Sequence, residues 1–288
     1  RLLRFPSAIK IEPFAKGRVE LLKFVIPKES ALDQMRVSEV VEKLRSNVLI
    51  CAVERGDMVV IPDGNFRMQS GDKISFIAPH KDSADFFKKA GIGTSTIKSV
   101  MIVGGGRLAY YLAKTLSDTR MKIKIIDRDE RRCRELSELL PGAMIIHGDG
   151  TDQRLLLEEG IGSAGAFASL TGVDEENIMM SLYAASESDA KIITKVGRIA
   201  FENVINSLNL GSVIYPKLLT ADIILHYVRA MQNSMGSNVE TLYKIVADKV
   251  EALEFRVKKD APMLGIPLEK LNLKANLLVA CINRNGTI

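Results

Sequence analysis

The run Val100-Met101-Ile102-Val103-Gly104-Gly105-Gly106-Arg107-Leu108-Ala109 constrains this chain more than any other. An apolar strand runs into three glycines, and a helical pattern follows them. About twenty residues past the turn, the strand Ile123-Lys124-Ile125-Ile126 ends in Asp127, the spacing of a βαβ unit that holds a dinucleotide. Gly104 allows the tight turn, and Gly106 lets the backbone approach a pyrophosphate. Ala109 is small enough for the helix to pack on the strand. The first turn, Arg107 and Leu108, offers free amides and the positive end of the helix dipole, and Arg107 adds a charged donor. Asp127 is placed to accept the hydroxyl hydrogens of an adenosine ribose. It repels a 2′-phosphate, so NAD or an adenosine phosphate is preferred to NADP, although Arg128 is a possible partner for that phosphate.

Residues 98 to 232 continue the alternation. Strands are predicted at Ser99–Val103, Lys122–Ile126, Ala143–Ile146, Ala166–Leu170 and Lys191–Val196, with a short run Val213–Tyr215. Helices are predicted at Leu108–Leu116, Glu130–Leu139, Arg154–Glu159, Asn177–Ala185 and Lys217–Gln232. This is an α/β chain with a Rossmann-like, doubly wound parallel sheet. Ligands of such sheets lie beyond the carboxyl ends of the strands, which adds Asp149, Gly150, Thr171 and Lys195 to the candidates. Asp149 and Asp152 equally suit a cap on the helix near Gln153, and Asp174 a cap on the next helix.

The flanks are β-rich and repeated. Val19 to Ile26, Asn47 to Val53, Asp57 to Ile61 and Lys73 to Ala78 read as strands, with helices at Ser38–Arg45 and Phe86–Ala90 and a linker at Gly91–Ser95. Val48 to Arg55 matches Leu277 to Arg284, and Val19 to Phe24 matches Val250 to Phe255, in the same order and at nearly the same spacing. The second copy stops at the counterpart of Val59, so the chain is expected to be a fragment cut inside a repeating unit at both ends. The late helix, followed by Asn233 to Ser237, is a candidate crossover and hinge, or a plain connector.

Of the 288 residues, 47% are hydrophobic, and no run of about 18 apolar residues suggests a bilayer span. The 40 basic and 35 acidic residues are interspersed, and aromatic residues are 6% with no Trp, which argues against a nucleic-acid surface. Three cysteines without paired or zinc spacing point to a reduced compartment, with Cys51 and Cys281 read as small core residues. His80, His147 and His226 are scattered and read as surface or packing residues. Tyr110 and Lys114 form a Y-x-x-x-K pair on the wrong helix for a dehydrogenase, the Tyr expected to pack on the sheet. No G-x-x-x-x-G-K-[ST] phosphate loop occurs. An NAD-dependent oxidoreductase is the enzyme alternative. It would need a proton donor that the motifs do not supply.

The glycine run, Asp127, Gly148-Asp149-Gly150-Thr151-Asp152 and Thr171-Gly172-Val173-Asp174-Glu175-Glu176-Asn177 resemble the N-terminal lobe of RCK (regulator of potassium conductance) domains. Leu3 to Leu21 resembles the junction between the two lobes of such a domain, and Ile61 to Gly64 with Ser70 to Lys73 its C-terminal lobe. The arrangement is similar to the TrkA-type tandem RCK subunits of bacterial Trk potassium uptake. The resemblance implies that residues 1–16 end a preceding nucleotide lobe and that 17–92 form a small α+β C-terminal lobe. It makes 98–232 a nucleotide lobe and 238–288 a truncated second C-terminal lobe. It further implies a cytoplasmic, non-enzymatic, homo-oligomeric ring, peripheral on the inner face of the membrane. Such a ring binds NAD(H) and ADP or ATP and gates a membrane potassium transporter subunit. Gly104, Gly106, Arg107 and Leu108 would then hold phosphates, Asp127 the ribose, and Asp149 and Gly150 would border the adenine. Lys195 stands where the family pattern has an Arg, a role Arg198 would take.

Overall fold

The computed structural model describes the chain except for residues 1, 4, 6, 15–17, 80, 94–96, 199–203, 206, 207, 209, 234–238, 247, 248, 260, 262, 272, 274–276 and 285–288. His80, the end of the predicted linker and the Ser234 to Ser237 part of the predicted hinge therefore lie outside the described residues. The chain divides into two compact units, Arg1–Pro6 with Ser95–Thr220 and Ser7–Thr94 with Ala221–Ile288.

The second of these begins with strands β1 (Ala8–Phe14) and β2 (Val19–Val25), then helix α1 (Val37–Leu44), strands β3 (Leu49–Arg55), β4 (Met58–Val60) and β5 (Lys73–Pro79), and helix α2 (Asp82–Lys89). The strands form an antiparallel sheet in the order β1-β2-β5-β3-β4. One face is packed with aromatic rings. Phe24, Phe76, Phe86 and Phe87 are all fully buried and meet largely edge to face. Arg55 forks onto the buried Asp72, its Nε and Nη2 each donating across 2.7 Å, which ties the end of β3 to the loop before β5. β1 falls in the segment that sequence reading gave to a preceding lobe. Its Pro13 hides the strand pattern, and an edge strand tolerates a proline that a central one would not.

The other unit contains strands β6 (Ser99–Val103), β7 (Lys122–Asp127), β8 (Ala143–His147), β9 (Ala166–Ser169), β10 (Lys191–Lys195) and β11 (Ser212–Ile214). Helices α3 (Arg107–Leu116), α4 (Glu130–Leu139), α5 (Gln153–Glu158) and α6 (Asp174–Glu187) connect them, and α7 (Pro216–Asn233) follows. The sheet is parallel, in the order β11-β10-β9-β6-β7-β8. The chain winds from β6 outward to β8, then returns to β9 on the other side of β6 and winds outward again, so the order reverses between β6 and β9. Two apolar clusters sandwich the sheet. Ile102, Ala109, Ala113, Ile125 and Leu136 lie in one, and Met101, Ile126, Phe167 and Ala184 in the other. Tyr110 packs against the first of these with Lys114 Nζ 5.8 Å from its ring centre, a packing arrangement for the Y-x-x-x-K pair.

The repeat returns as a hairpin of β12 (Val239–Val246) and β13 (Val250–Phe255). Ile245, Val246, Val250 and Ala252 pack on the first sheet's other face, against Phe14, Val19, Leu21 and Cys51. Phe14 with Ile245, Val19 with Val250 and Leu21 with Ala252 are equivalent positions of the two copies, so the copies bury the same face against each other. The match of Leu277–Arg284 to a strand does not carry over. Among the described residues, 277–282 form no strand, whereas their match in the first copy lies in β3, paired with β5. Cys281 is accordingly exposed rather than a core residue, whereas Cys51 and Cys133 are buried.

Candidate functional site

A cleft of about 350 Å³ opens where the strand order reverses. Of the ten sequence-level candidates, Gly104, Gly106, Asp127, Arg128, Asp149, Gly150, Thr171 and Lys195 line it. Arg107 and Leu108 do not. Both are exposed in the first turn of α3, beside the cleft. Glu176 and Met180 of α6 also line it; Glu176 lies in the Thr171 to Asn177 run that carries the resemblance without being among the candidates, and Met180 carried no sequence signal.

The three glycines have three different reasons. Gly104 has φ +96°, and a Cβ there would lie 2.8 Å from the Thr171 nitrogen, so the fold itself requires a glycine. At Gly105 a Cβ would meet Leu136 Cδ1 at 2.7 Å. Gly106 has ordinary extended backbone, φ −65° and ψ −173°, and a Cβ there would meet nothing within 4 Å. Nothing in the fold excludes a side chain at Gly106. What its absence leaves clear is the approach to the N-terminus of α3, which no side chain caps.

Asp127 ends β7 beside this turn. Its Oδ2 accepts the Gly105 amide, and its Oδ1 accepts the Asp129 amide at 2.8 Å. Each oxygen retains a lone pair for a further donor. Arg132, one turn into α4, donates from Nε to the Gly105 carbonyl at 2.6 Å. Asp149 does not cap α5, a role that falls to Asp152 through the Arg154 amide at 2.9 Å. Instead Asp149 Oδ1 accepts the Thr151 amide and hydroxyl at 2.9 and 2.8 Å. The amide, then the hydroxyl, holds its carboxyl below the usual range, with a small contribution from Arg128. Gly150 is a packing glycine, because a Cβ there would sit 2.1 Å from Val103 Cγ1.

The far side of the cleft is tied up by its own bonds. Asn177 is fully buried and accepts the Thr171 amide at 2.9 Å while donating to the Lys195 carbonyl at 3.0 Å. Lys195 Nζ donates to the Thr171 carbonyl at 2.7 Å. Asp174 is not the cap of α6 either. It is the first helical residue, and its carboxylate takes the Gly197 and Arg198 amides at 2.7 and 2.9 Å. Burial pushes that carboxyl up, but the two amides and the Arg198 guanidinium outweigh it and hold the group below its ordinary value. Arg198 pairs with Glu175 and lies 3.5 Å from Asp174, in an open hollow of about 440 Å³ with Lys217 that adjoins the cleft at Gly172 and Val173. It does not take up the position in the cleft that the sequence offered it.

Comparison with known proteins follows the same division. The TrkA-N domain family matches residues 100–216 and the TrkA-C domain family residues 21–91. "Trk system potassium uptake protein TrkA homolog 1" of Methanosarcina mazei is 28% identical over 98% of this chain and 62% of its own length. "Trk system potassium uptake protein TrkA" of Haemophilus influenzae is 28% identical over 100% of this chain and 62% of its own. The chain thus spans about three fifths of these relatives. The GsuK RCK domain shares the fold at a TM-score of 0.55 and 15% identity, covering 84% of this chain and 53% of that one. The structure "GsuK channel bound to NAD" aligns at 0.54 and 16% identity, covering 84% of this chain and 44% of that one. This chain thus carries a TrkA-C domain followed by a TrkA-N domain, is similar to TrkA potassium uptake proteins along its length, and shares the fold of the GsuK RCK domain.

Proposed function

We propose that this chain is the nucleotide-sensing part of a regulatory subunit that gates a membrane potassium transporter, with NAD(H) as ligand and ADP or ATP as competitors. The observation that carries the reading is Gly106. It is a glycine that neither backbone strain nor packing demands, at an uncapped helix start, beside a carboxylate with free lone pairs. Those are the fittings for a pyrophosphate and a ribose. The relatives' names support potassium uptake as the process, and the NAD-bound relative supports the cofactor. Glu176 and Asp149 add negative charge to the lining, which favours NAD over the more anionic ATP.

In this reading Gly104, Gly106, Arg107 and Leu108 hold phosphates, Asp127 and Arg128 stand at the ribose, and Asp149, Gly150, Thr171 and Lys195 shape the rest. Residues 17–92 and 238–288 are two C-terminal lobes, and 98–232 is the nucleotide lobe. The subunit assembles as dimers within a ring at the cytoplasmic face of the membrane and binds no nucleic acid. Among the described residues no helix is long and apolar enough to cross a membrane. Gating needs a ligand that favours one of two states, by about 1–3 kcal/mol in typical couplings.

Calorimetry with NAD, NADH, ADP and ATP tests the reading, on this chain and on Asp127→Ala. Saturable binding that weakens in the variant is expected. Equal affinities in both proteins would place the site elsewhere. Turnover of bound NADH with a carbonyl substrate would favour the oxidoreductase alternative.

A further inference from the structure

We infer that Arg132 is a positioning residue for the phosphate-facing amides, an inference that rests on the nucleotide reading above. The turn contains two successive peptide planes, and one side chain holds each. Asp127 Oδ2 accepts the Gly105 N–H and so sets the Gly104–Gly105 plane. Arg132 Nε donates to the Gly105 carbonyl at 2.6 Å and so sets the Gly105–Gly106 plane. In a trans peptide the C=O and the following N–H point in opposite directions. A Gly105 carbonyl pinned toward α4 therefore turns the Gly106 N–H away from α4, toward the open approach to the cleft.

Glycine makes this hold necessary. With no side chain at Gly105 or Gly106, the plane between them flips at little steric cost, and either orientation suits a solvated turn. A flipped plane would present a carbonyl oxygen, not an amide, to an anionic ligand. Arg132 is fitted to prevent that. Its backbone lies in the first turn of α4, which Asp129 caps by accepting the Arg131 amide at 2.9 Å and the Arg132 amide at 3.3 Å. Its Nη1 is anchored to Glu135 at 2.6 Å, leaving Nε aimed at the turn. Arg132 is not among the residues lining the cleft, so it acts through the peptide and not by touching the ligand.

The test compares ligands with and without a diphosphate on the whole chain. For Arg132→Met, NAD and ADP are expected to weaken about tenfold while adenosine changes less than about twofold, the cost of one misdirected amide. Arg132→Lys, which keeps a charged donor, should recover part of the loss. Equal weakening of adenosine and NAD would mean a general loss of structure and overturn the inference, as would unchanged NAD affinity. The amide resonance of Gly106 in the ligand-free protein gives a second readout. It should move in Arg132→Met and stay in Glu135→Gln, and an unmoved resonance in Arg132→Met overturns the inference. If the unaltered chain binds neither NAD nor ADP, the nucleotide reading fails, and the Gly106 resonance still decides whether Arg132 sets the peptide.

Discussion

On one bank of the cleft Asp127 receives the amides of Gly105 and Asp129; on the other Asp174 receives those of Gly197 and Arg198. The device is the same, a carboxylate near a strand end gripping the backbone of a neighbouring loop. What surrounds it differs. Around Asp127 the side chains hold the backbone and leave a glycine facing open space. Around Asp174 the cations are already taken up, Arg198 by Glu175 and Lys195 by the Thr171 carbonyl. Cations already satisfied internally are poor candidates for catching a phosphate, whereas an uncapped helix start beside a glycine is a good one. On the nucleotide reading proposed above, recognition falls to the first bank and mechanical closure to the second.

The sharpest way to break that assignment lies within the glycine turn. Gly104→Ala must carry a left-handed residue, and its Cβ meets the backbone of Leu170 and Thr171 at 2.8–2.9 Å. About 3 kcal/mol or more of stability should be lost in chemical denaturation, the sum of strain and overpacking. Asp127→Ala comes next, because it removes a ribose acceptor and releases two amides. A loss of about 30-fold in NAD affinity and about 1–2 kcal/mol of stability is expected. Gly106→Ala should separate binding from folding. Stability should change by less than about 0.5 kcal/mol, since its backbone suits any residue, while NAD weakens about tenfold from the intruding methyl. Normal NAD binding by Gly106→Ala would remove the main support for a phosphate at that turn.

How much of this was legible beforehand follows from the range of the interactions. β6, α3 and β7 could be read because strand period, glycine turn and helix period are local, and Asp127 sits at a set distance along the chain. Arg132 and Asn177 could not. Arg132 reaches 27 residues back to Gly105, and Asn177 reaches 18 residues on to Lys195. Their side chains carry no periodic or motif signature of those partners. The same limit explains Lys195 and Arg198. Sequence placed both at the end of β10, but not which acceptors they would find first. In the flanking lobe the repeat was visible as matched apolar runs. Its meaning, two copies burying the same face against each other, needed the packing of Ile245 and Val250 on Phe14 and Leu21.

The second bank gives the smaller effects. Asp174→Asn should cost about 1 kcal/mol, because an amide accepts two backbone donors less well than a carboxylate. Its NAD affinity should stay within about twofold of the unaltered chain. The pH dependence checks the cause. The folded-state pKa lies below the ordinary 3.8, so the unfolded chain binds the proton first as pH falls. The stabilisation by Asp174 is therefore complete above that value and fades as pH drops through the lower folded one. The stability gap between Asp174→Asn and the unaltered chain should be constant at neutral pH and close only in that acid range. A gap that changes near neutrality would point to another group.

Arg198→Ala is the smallest change and the most discriminating. Its guanidinium is 65% exposed and pairs with the similarly exposed Glu175, an arrangement that solvent and salt screen. The Arg198 amide, which does the holding, survives the substitution. The denaturation midpoint should barely move, and calorimetric affinities for NAD, ADP and ATP should be unchanged. If ATP alone weakens while NAD does not, Arg198 leaves Glu175 for a terminal phosphate. The second bank would then be a reader of phosphate number and not the closure described above.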